Sequence, residues 1–277
     1  MSLRITILCD NSVGPITGTL GEHGFAALIE PKGGEPLLFD TGQGHTLLHN
    51  ARSMGKDLSR VAKVVLSHGH YDHCGGLLPL LGEHGAKEVF AHGGVFDPRH
   101  RVKDTGECCS IGMPQERELL EGAGASFNLS GSFREILPGI CLTGEVPRVT
   151  PFESGDHGLF CDCSGQEPDL TPDDQSLVIE TERGLVILLG CCHAGLVNTV
   201  EHVAYLTGRR DIYGLIGGSH LGFCGREQLE RSVSALRSMG LKKLALCHCT
   251  GFAASARLSR ELPKEFQAAM VGYTLEV

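Results

Sequence analysis

The chain has 277 residues, 41% hydrophobic and 21% charged, with no tryptophan. That length suits one large α/β domain or two small ones, and a formal net charge of -9 argues against nucleic acid as a partner, since phosphate binding ordinarily needs a basic face. No apolar stretch is long enough to span a bilayer and no signal-peptide pattern opens the chain, so the expectation is a cytoplasmic protein with no membrane partner, its twelve cysteines mostly free.

Short apolar runs bounded by Gly, Pro or charge predict strands over Ile5–Cys9, Phe25–Ile29, Pro36–Phe39 and Val61–Leu66, then over Leu177–Ile179, Leu185–Leu189, Tyr213–Ile216 and Leu244–Cys247. Between them, helical spacing predicts helices over Gly44–Met54, Gly75–Leu81, Gly195–Leu206, Arg226–Met239 and Arg257–Glu265. Residues 93–172 are rich in Pro and Gly and lack periodicity, which predicts irregular structure, with 145–172 as a loop over a site. No linker divides the chain. Leu37–Gly42 and Val186–Cys191 both end an apolar strand at a polar, Gly-bearing turn, which suggests one domain over 1–277 with two similar halves, approximately 1–172 and 173–277.

The chemistry concentrates in Ser67-His68-Gly69-His70-Tyr71-Asp72-His73, directly after a predicted strand. His68 and His70 are two apart, so an extended backbone sends both rings to one side. Asp72 and His73 follow where the chain turns towards Gly75-Gly76. Four ligand-type side chains in six positions can serve two ions, His68 and His70 one and Asp72 and His73 the other, and imidazole with carboxylate suits zinc, iron or manganese. Three later strands run into small residues and a histidine: His193 after Gly190-Cys191-Cys192, His220 after Gly217-Gly218-Ser219, and His248 before Cys249-Thr250-Gly251. In α/β sheets, sites lie beyond the carboxyl ends of strands. His193 and His248 are therefore read as further ligands. His220 is read as a catalytic donor to a developing oxyanion, or as a ligand in its own right.

The run His68-x-His70-x-Asp72-His73, preceded by Phe39-Asp40-Thr41-Gly42, resembles the signature of the metallo-β-lactamase superfamily. A finer resemblance, to the 7,8-dihydropterin-6-methyl-4-(β-D-ribofuranosyl)aminobenzene-phosphate synthase-like subfamily, rests on Gly144-Glu145-Val146-Pro147-Arg148, Phe152-Glu153, Asp173-Asp174, Cys191–Asn198, Gly217–Leu221 and His248-Cys249-Thr250-Gly251. It covers nearly the whole chain, in order. The resemblance implies an α/β fold of the αββα four-layer sandwich type with a mono- or dinuclear site at one edge. It also exposes departures. The superfamily's usual third histidine is missing near Leu142–Glu145, so Glu145 or His193 takes its place. The usual bridging aspartate is Cys191, which can bind zinc as a thiolate or pack as a free thiol.

These readings combine into a metal-dependent hydrolase or transferase with one or two divalent transition ions, zinc first and iron or manganese as alternatives. The substrate is a small molecule, with a phosphate- or pterin-bearing metabolite as the class the resemblance suggests. Asp72 holds the second ion or orients the attacking water. Arg148 and Asp174 are the candidate substrate contacts; each has a structural alternative, a loop salt bridge for Arg148 and a turn cap for Asp174. Asp40 is expected behind the ligands, holding a histidine or backbone amides. Two other classes stay open at this point: a di-iron redox or oxygen-handling protein, and a non-catalytic ligand sensor.

Overall fold

The computed structural model describes residues 2–153 and 155–277. All eight predicted strands form, within a few residues of the expected bounds. They belong to two seven-stranded sheets packed face to face. The first holds Leu3–Cys9, Ala26–Pro31, Leu37–Phe39, Lys63–Val65, Lys87–Ala91 and Ala125–Leu129, with Thr274–Glu276 at its edge. The second holds Arg134–Leu137, Ile140–Leu142, Leu177–Thr181, Gly184–Leu189, Ile212–Gly218, Lys243–Cys247 and Phe266–Ala268.

Alternation of side chains along each strand sorts them into layers. Phe39 and Val65 from the first sheet meet Leu177, Val186, Leu188 and Ile216 from the second in a central core. The opposite faces carry Leu38 and Val64 towards helices Leu47–Ser53 and Leu77–His84, and Ile187, Leu189 and Leu215 towards helices Leu196–Thr207, Arg226–Ser238 and Gly251–Glu261. The result is the expected αββα sandwich. Among the described residues no helix is long and apolar enough to cross a membrane.

Two features differ from the sequence reading. Residues 93–172 are not irregular throughout: they contribute Ala125–Leu129 to the first sheet, Arg134–Leu137 and Ile140–Leu142 to the second, and a separate three-stranded sheet of His100–Val102, Cys108–Ser110 and Leu159–Phe160. These strands are short, and all but one position on the small sheet are half-exposed or exposed, so they leave no apolar alternation to read. Cys108 and Cys163 are joined by a disulfide that fastens this small sheet, while the other ten cysteines are free. The two sheets also exchange strands across the approximate division at 172: Thr274–Glu276 pairs with Leu3–Cys9, and Ile140–Leu142 pairs with Leu177–Thr181.

Parallel pairing aligns the strand ends that matter. Leu37–Phe39 runs parallel to Lys63–Val65, and Gly184–Leu189, Ile212–Gly218 and Lys243–Cys247 run parallel to one another. The residues that follow these five strands meet at one edge of the sandwich, where ligand sites of open α/β sheets form.

Candidate metal centre

Sharp turns aim the side chains at that edge. Asp40, Cys192, His220 and His248 all adopt positive φ, at 59°, 63°, 54° and 52°. Non-glycine residues seldom hold this conformation unless the surroundings enforce it. Two glycines permit the close approach of the layers. A β-carbon on Gly69 would collide with the Val95 carbonyl oxygen, and one on Gly190 with the Ser67 hydroxyl. Asp72 and His73 lie on a short helical turn, Tyr71–Cys74, and the His73 ring packs 4.2 Å from that of His68 between centroids.

Two adjacent clusters result. In the first, His68 Nε2 lies 2.9 Å from His70 Nδ1, and one ring nitrogen each from His68, His70 and His193 fall within 4.8 Å of one another. In the second, His73 Nε2 is 3.1 Å from His248 Nε2, and Asp72 Oδ2 is 3.3 Å from the same His248 nitrogen. Cys191 Sγ sits between them, 3.1 Å from His73 Nε2.

Outer partners set which nitrogen of each ring faces inwards. The Asp40 carboxylate accepts from the Ser67 amide at 2.7 Å, the Ser67 hydroxyl at 2.7 Å and His73 Nδ1 at 2.7 Å. Because the Ser67 hydroxyl hydrogen goes to Asp40, its oxygen accepts from His68 Nδ1 at 2.9 Å. His248 Nδ1 donates to Asn11 Oδ1 at 2.8 Å, and the His248 amide donates to Asp10. The Nε2 lone pairs of His68, His73 and His248 are thereby turned into the centre, the arrangement that orients metal-binding imidazoles. Asp40 thus stands where the sequence placed it, behind the histidines.

Adjacent aspartates clamp both sides. Asp173 accepts from the Gly69 amide at 2.7 Å, holding the first histidine loop, and Asp174 accepts from the Ala194 amide at 2.9 Å, holding the turn that carries His193. Asp174 thus holds a turn of the site through the Ala194 amide. Asp173 is itself held by the fully buried Arg99, which also pairs with Asp169.

The electrostatics fit cation binding. Burial pushes His68 and His193 well below the usual imidazole range, and His70 down to about 3. These rings are held neutral, with lone pairs available. Buried His70 Nε2 and both nitrogens of His193 find no hydrogen-bond partner among the described residues, a costly state unless something else engages them. At His73 burial again disfavours charge, but Asp40 and Asp72 prevail and raise it to about 9. That side of the site favours a positive charge. Three neutral imidazoles beside a carboxylate-flanked pair form a donor set that fits one or two divalent transition ions.

A cavity of about 110 Å³ opens in front of the clusters, with Arg101, Ile111, Asp156 and Leu159 from the small sheet and its loops on the opposite wall. His220 lines it as well, with Nε2 3.0 Å from Asp156 Oδ2. Burial opposes a charge on His220, but the Asp156 carboxylate and Cys249 offset it and raise the ring to about 9. Glu145 is exposed and stands outside the cavity lining, whereas His193 groups with His68 and His70 in the first cluster. Arg148 also lies outside the lining and donates to the Leu170 carbonyl at 2.7 Å. The cation that does face the cavity is Arg101, over the Phe223 ring and 3.8 Å from Asp156.

His23, Arg101 and Asp156 escaped the sequence reading. His23 Nε2 lies 3.2 Å from Asp72 Oδ2, but it comes from a loop between glycines, with no strand before it. Arg101 and Asp156 sit in the segment whose strands left no periodic signal. Only the glycine beside His23 offers a clue: a β-carbon on Gly24 would lie 2.7 Å from the Asp72 carbonyl oxygen.

A sandwich of this topology with a histidine-rich edge defines a class, and the chain belongs to the metallo-beta-lactamase superfamily, whose family model matches residues 20–191. It is 28% identical to 7,8-dihydropterin-6-methyl-4-(beta-D-ribofuranosyl)-aminobenzene-5'-phosphate synthase of Methanocaldococcus jannaschii, over 98% of this chain and 95% of that one. It is 30% identical to an uncharacterized protein of the same organism, over 92% and 94% of the two chains. Among solved structures, a metal-dependent hydrolase of the beta-lactamase superfamily is 31% identical, with a TM-score of 0.84 and 99% of both chains covered.

Proposed function

We propose that the chain is a metal-dependent hydrolase or transferase acting on a small metabolite with an anionic, phosphate-bearing group, through a metal-activated water. One observation carries this reading: two touching clusters of buried donors, three of their nitrogens without a partner, face a single cavity. His68, His70 and His193 would hold one ion and Asp72, His73 and His248 the other, zinc being the first expectation. A divalent ion there lowers the pKa of water towards 7 and polarises a phosphoryl or carbonyl oxygen.

The chain's own residues supply the rest. His220, kept protonated by Asp156, is placed to donate to negative charge developing in the cavity. Arg101 offers a half-exposed guanidinium for an anionic substituent, with Phe223, Ile111 and Leu159 as apolar surface beside it. The 28% relative's name points to pterin-linked ribosyl phosphates as the substrate class to try first. The test is a screen of metal-reconstituted protein over phosphodiesters, thioesters, lactones and pterin-ribosyl compounds, with a His68→Ala/His70→Ala double variant as the blank. Turnover equal to the blank on every class, with metal bound, would overturn the proposal.

A further inference from the structure

The small sheet that forms the cavity's outer wall has a second face. His100 and Arg101 are consecutive on strand His100–Val102, so their side chains leave on opposite faces. Arg101 lines the cavity and His100 does not. Cys108 pairs with Val102, two residues on from His100, which puts its side chain on the His100 face. Phe160, opposite His100, shares that face. After Phe160 the chain turns: the Cys161 amide donates to the Glu167 carbonyl at 2.9 Å, and the Asp162 carboxylate accepts from the Ser164 amide at 2.8 Å. The turn comes back over the sheet, since a β-carbon on Gly165 would lie 3.7 Å from Val102 Cγ1. It delivers Cys163 to Cys108.

A third donor stands beside the disulfide. One ring nitrogen of His100 and the sulfurs of Cys108 and Cys163 lie within 4.8 Å of one another. A purely structural disulfide needs no imidazole next to it. Nδ1 of that ring donates to the Cys161 carbonyl at 3.3 Å, which leaves the lone pair of the neutral ring on Nε2. Two thiolates and one imidazole are a soft donor set that takes zinc, and Cys163 is exposed, so water can complete the shell. None of the three residues lines the cavity, which separates the cluster from the histidine-rich centre.

We propose that His100, Cys108 and Cys163 form a separate zinc site when the two thiols are reduced, and that the disulfide is the alternative, metal-free state of the same site. Zinc binding displaces the two S–H protons to solvent and changes no oxidation state. Oxidation by a low-molecular-weight disulfide proceeds by exchange. The exposed Cys163 sulfur attacks one sulfur of that disulfide and expels the other as a thiolate. The Cys108 sulfur then displaces the second thiolate and closes the Cys108–Cys163 bond. Two electrons pass from the protein sulfurs to the oxidant, and zinc leaves as the divalent ion. Either state ties the turn after Phe160 to the sheet that carries Arg101, a link that the reduced, zinc-free wall lacks. The inference is independent of the reading given for the histidine-rich centre.

The test uses the full-length protein, reduced with a phosphine or oxidised with glutathione disulfide, then loaded with zinc and desalted. Zinc content, and the rate at which iodoacetamide alkylates each cysteine, are measured for the wild type, His100→Ala and Cys163→Ser, with circular dichroism confirming that each folds. The reduced wild type should hold one equivalent more than the oxidised wild type and more than either reduced variant. Zinc should slow alkylation of Cys108 and Cys163 severalfold in the wild type, leave the exposed Cys109 unchanged, and fail to protect Cys108 in the variants. Glutathione disulfide added to the reduced, zinc-loaded wild type should release that one equivalent, read with a zinc indicator. Equal zinc content in the reduced wild type and variants would overturn the proposal, as would alkylation of Cys108 and Cys163 that zinc does not slow. Should His100→Ala fail to fold, Cys163→Ser, in an exposed turn, gives the same comparison. The histidine-rich centre is the same in all three proteins, so a failure there lowers every count alike and leaves the difference readable.

Discussion

The site is assembled from two unlike sides. One side is contiguous: His68, His70, Asp72 and His73 come from a single loop and one helical turn, and Asp40 organises them through Ser67 and His73. The other is dispersed: Cys191, His193, His220 and His248 come one or two at a time from three parallel strand ends, and three residues there, Cys192, His220 and His248, hold positive φ. The first side is precise because its residues are neighbours in the chain. The second is precise only because the sheet is, so its geometry rests on packing far from the ligands. Loss of a ligand should act similarly on both sides, but loss of a support should act differently.

Ligand removal gives the largest expected effect. His70→Ala, and equally His193→Ala or His248→Ala, should release metal and lower activity on the order of 10³-fold or more, the scale of losing a preorganised charge stabiliser. The unfolding midpoint of the metal-free protein should change little, because these rings make few apolar contacts. Metal analysis alongside denaturant unfolding decides it. A histidine whose loss destabilises the apo-protein while metal stays bound is a core residue, and the symmetry between the two sides then fails.

Supports come next. Asp40→Asn leaves Ser67 and His73 without their shared carboxylate and should weaken metal affinity about 10–100-fold, as outer partners of metal ligands commonly do. Asp174→Asn, which alters the acceptor for the Ala194 and His193 amides, should cost less than Asp40→Asn if the dispersed side is held chiefly by its sheet. Competition with a metal chelator measures both. Equal losses would show that the second side also depends on one carboxylate.

What could be read from the residues follows the same division. The loop donors His68, His70, Asp72 and His73, with Asp40 behind them, are legible because chemistry and sequence spacing coincide there. His193 and His248 were legible as strand-end histidines, since buried parallel strands announce themselves as continuous apolar runs such as Leu185–Leu189. Arg148 and Arg101 show where sequence stops. Both are arginines in glycine- and proline-rich surroundings, and only the pairing of Arg101 with Cys109 and Leu159 in a small sheet carries it to the cavity wall. The sequence leaves Asp174 between a turn cap and a substrate contact, because the amide it accepts from lies 20 residues away, in a turn whose path spacing does not reveal.

A smaller effect concerns the protonation of Asp173. Burial raises the Asp173 carboxyl to about 7, with the nearby Asp174 and Asp169 adding to the rise and Arg99 and the Gly69 amide opposing it. The folded value thus lies above the unfolded one near 3.8, so the group's contribution to stability is complete below about pH 3.8 and is lost as pH rises through 7. Unfolding of the metal-free protein in urea at pH 5 and pH 8 should show the wild type losing on the order of 1 kcal/mol more than Asp173→Asn over that interval. An identical pH dependence in the two proteins would show that Asp173 is ionised throughout.

The smallest effect concerns the cavity's outer wall, the part least tied to either side. The sheet His100–Val102, Cys108–Ser110 and Leu159–Phe160 carries Arg101 and Leu159 to the cavity and meets the metal side where the Tyr71 amide donates to Ile111, where Arg101 lies over Phe223, where Asp156 faces His220 and where Arg99, just before it, pairs with Asp173. Its strands have two or three residues each, too few to be stable alone. The Cys108–Cys163 link closes a loop of 55 residues around it. Such a link stabilises mainly by restricting the open ensemble. Cys108→Ser should therefore raise the rate of limited proteolysis within residues 99–111 and 155–170, severalfold, while metal content stays at the wild-type value. The wall would then be an independently opening unit, as small, weakly packed segments tend to be. If the same variant also released metal, the wall would be part of the centre's support, and the site would have three sides instead of two. Inorganic phosphate, added as a probe for Arg101, should slow the cleavage if anions draw the wall onto the site. Unchanged cleavage with phosphate would confine the recognition of anions to the metal side.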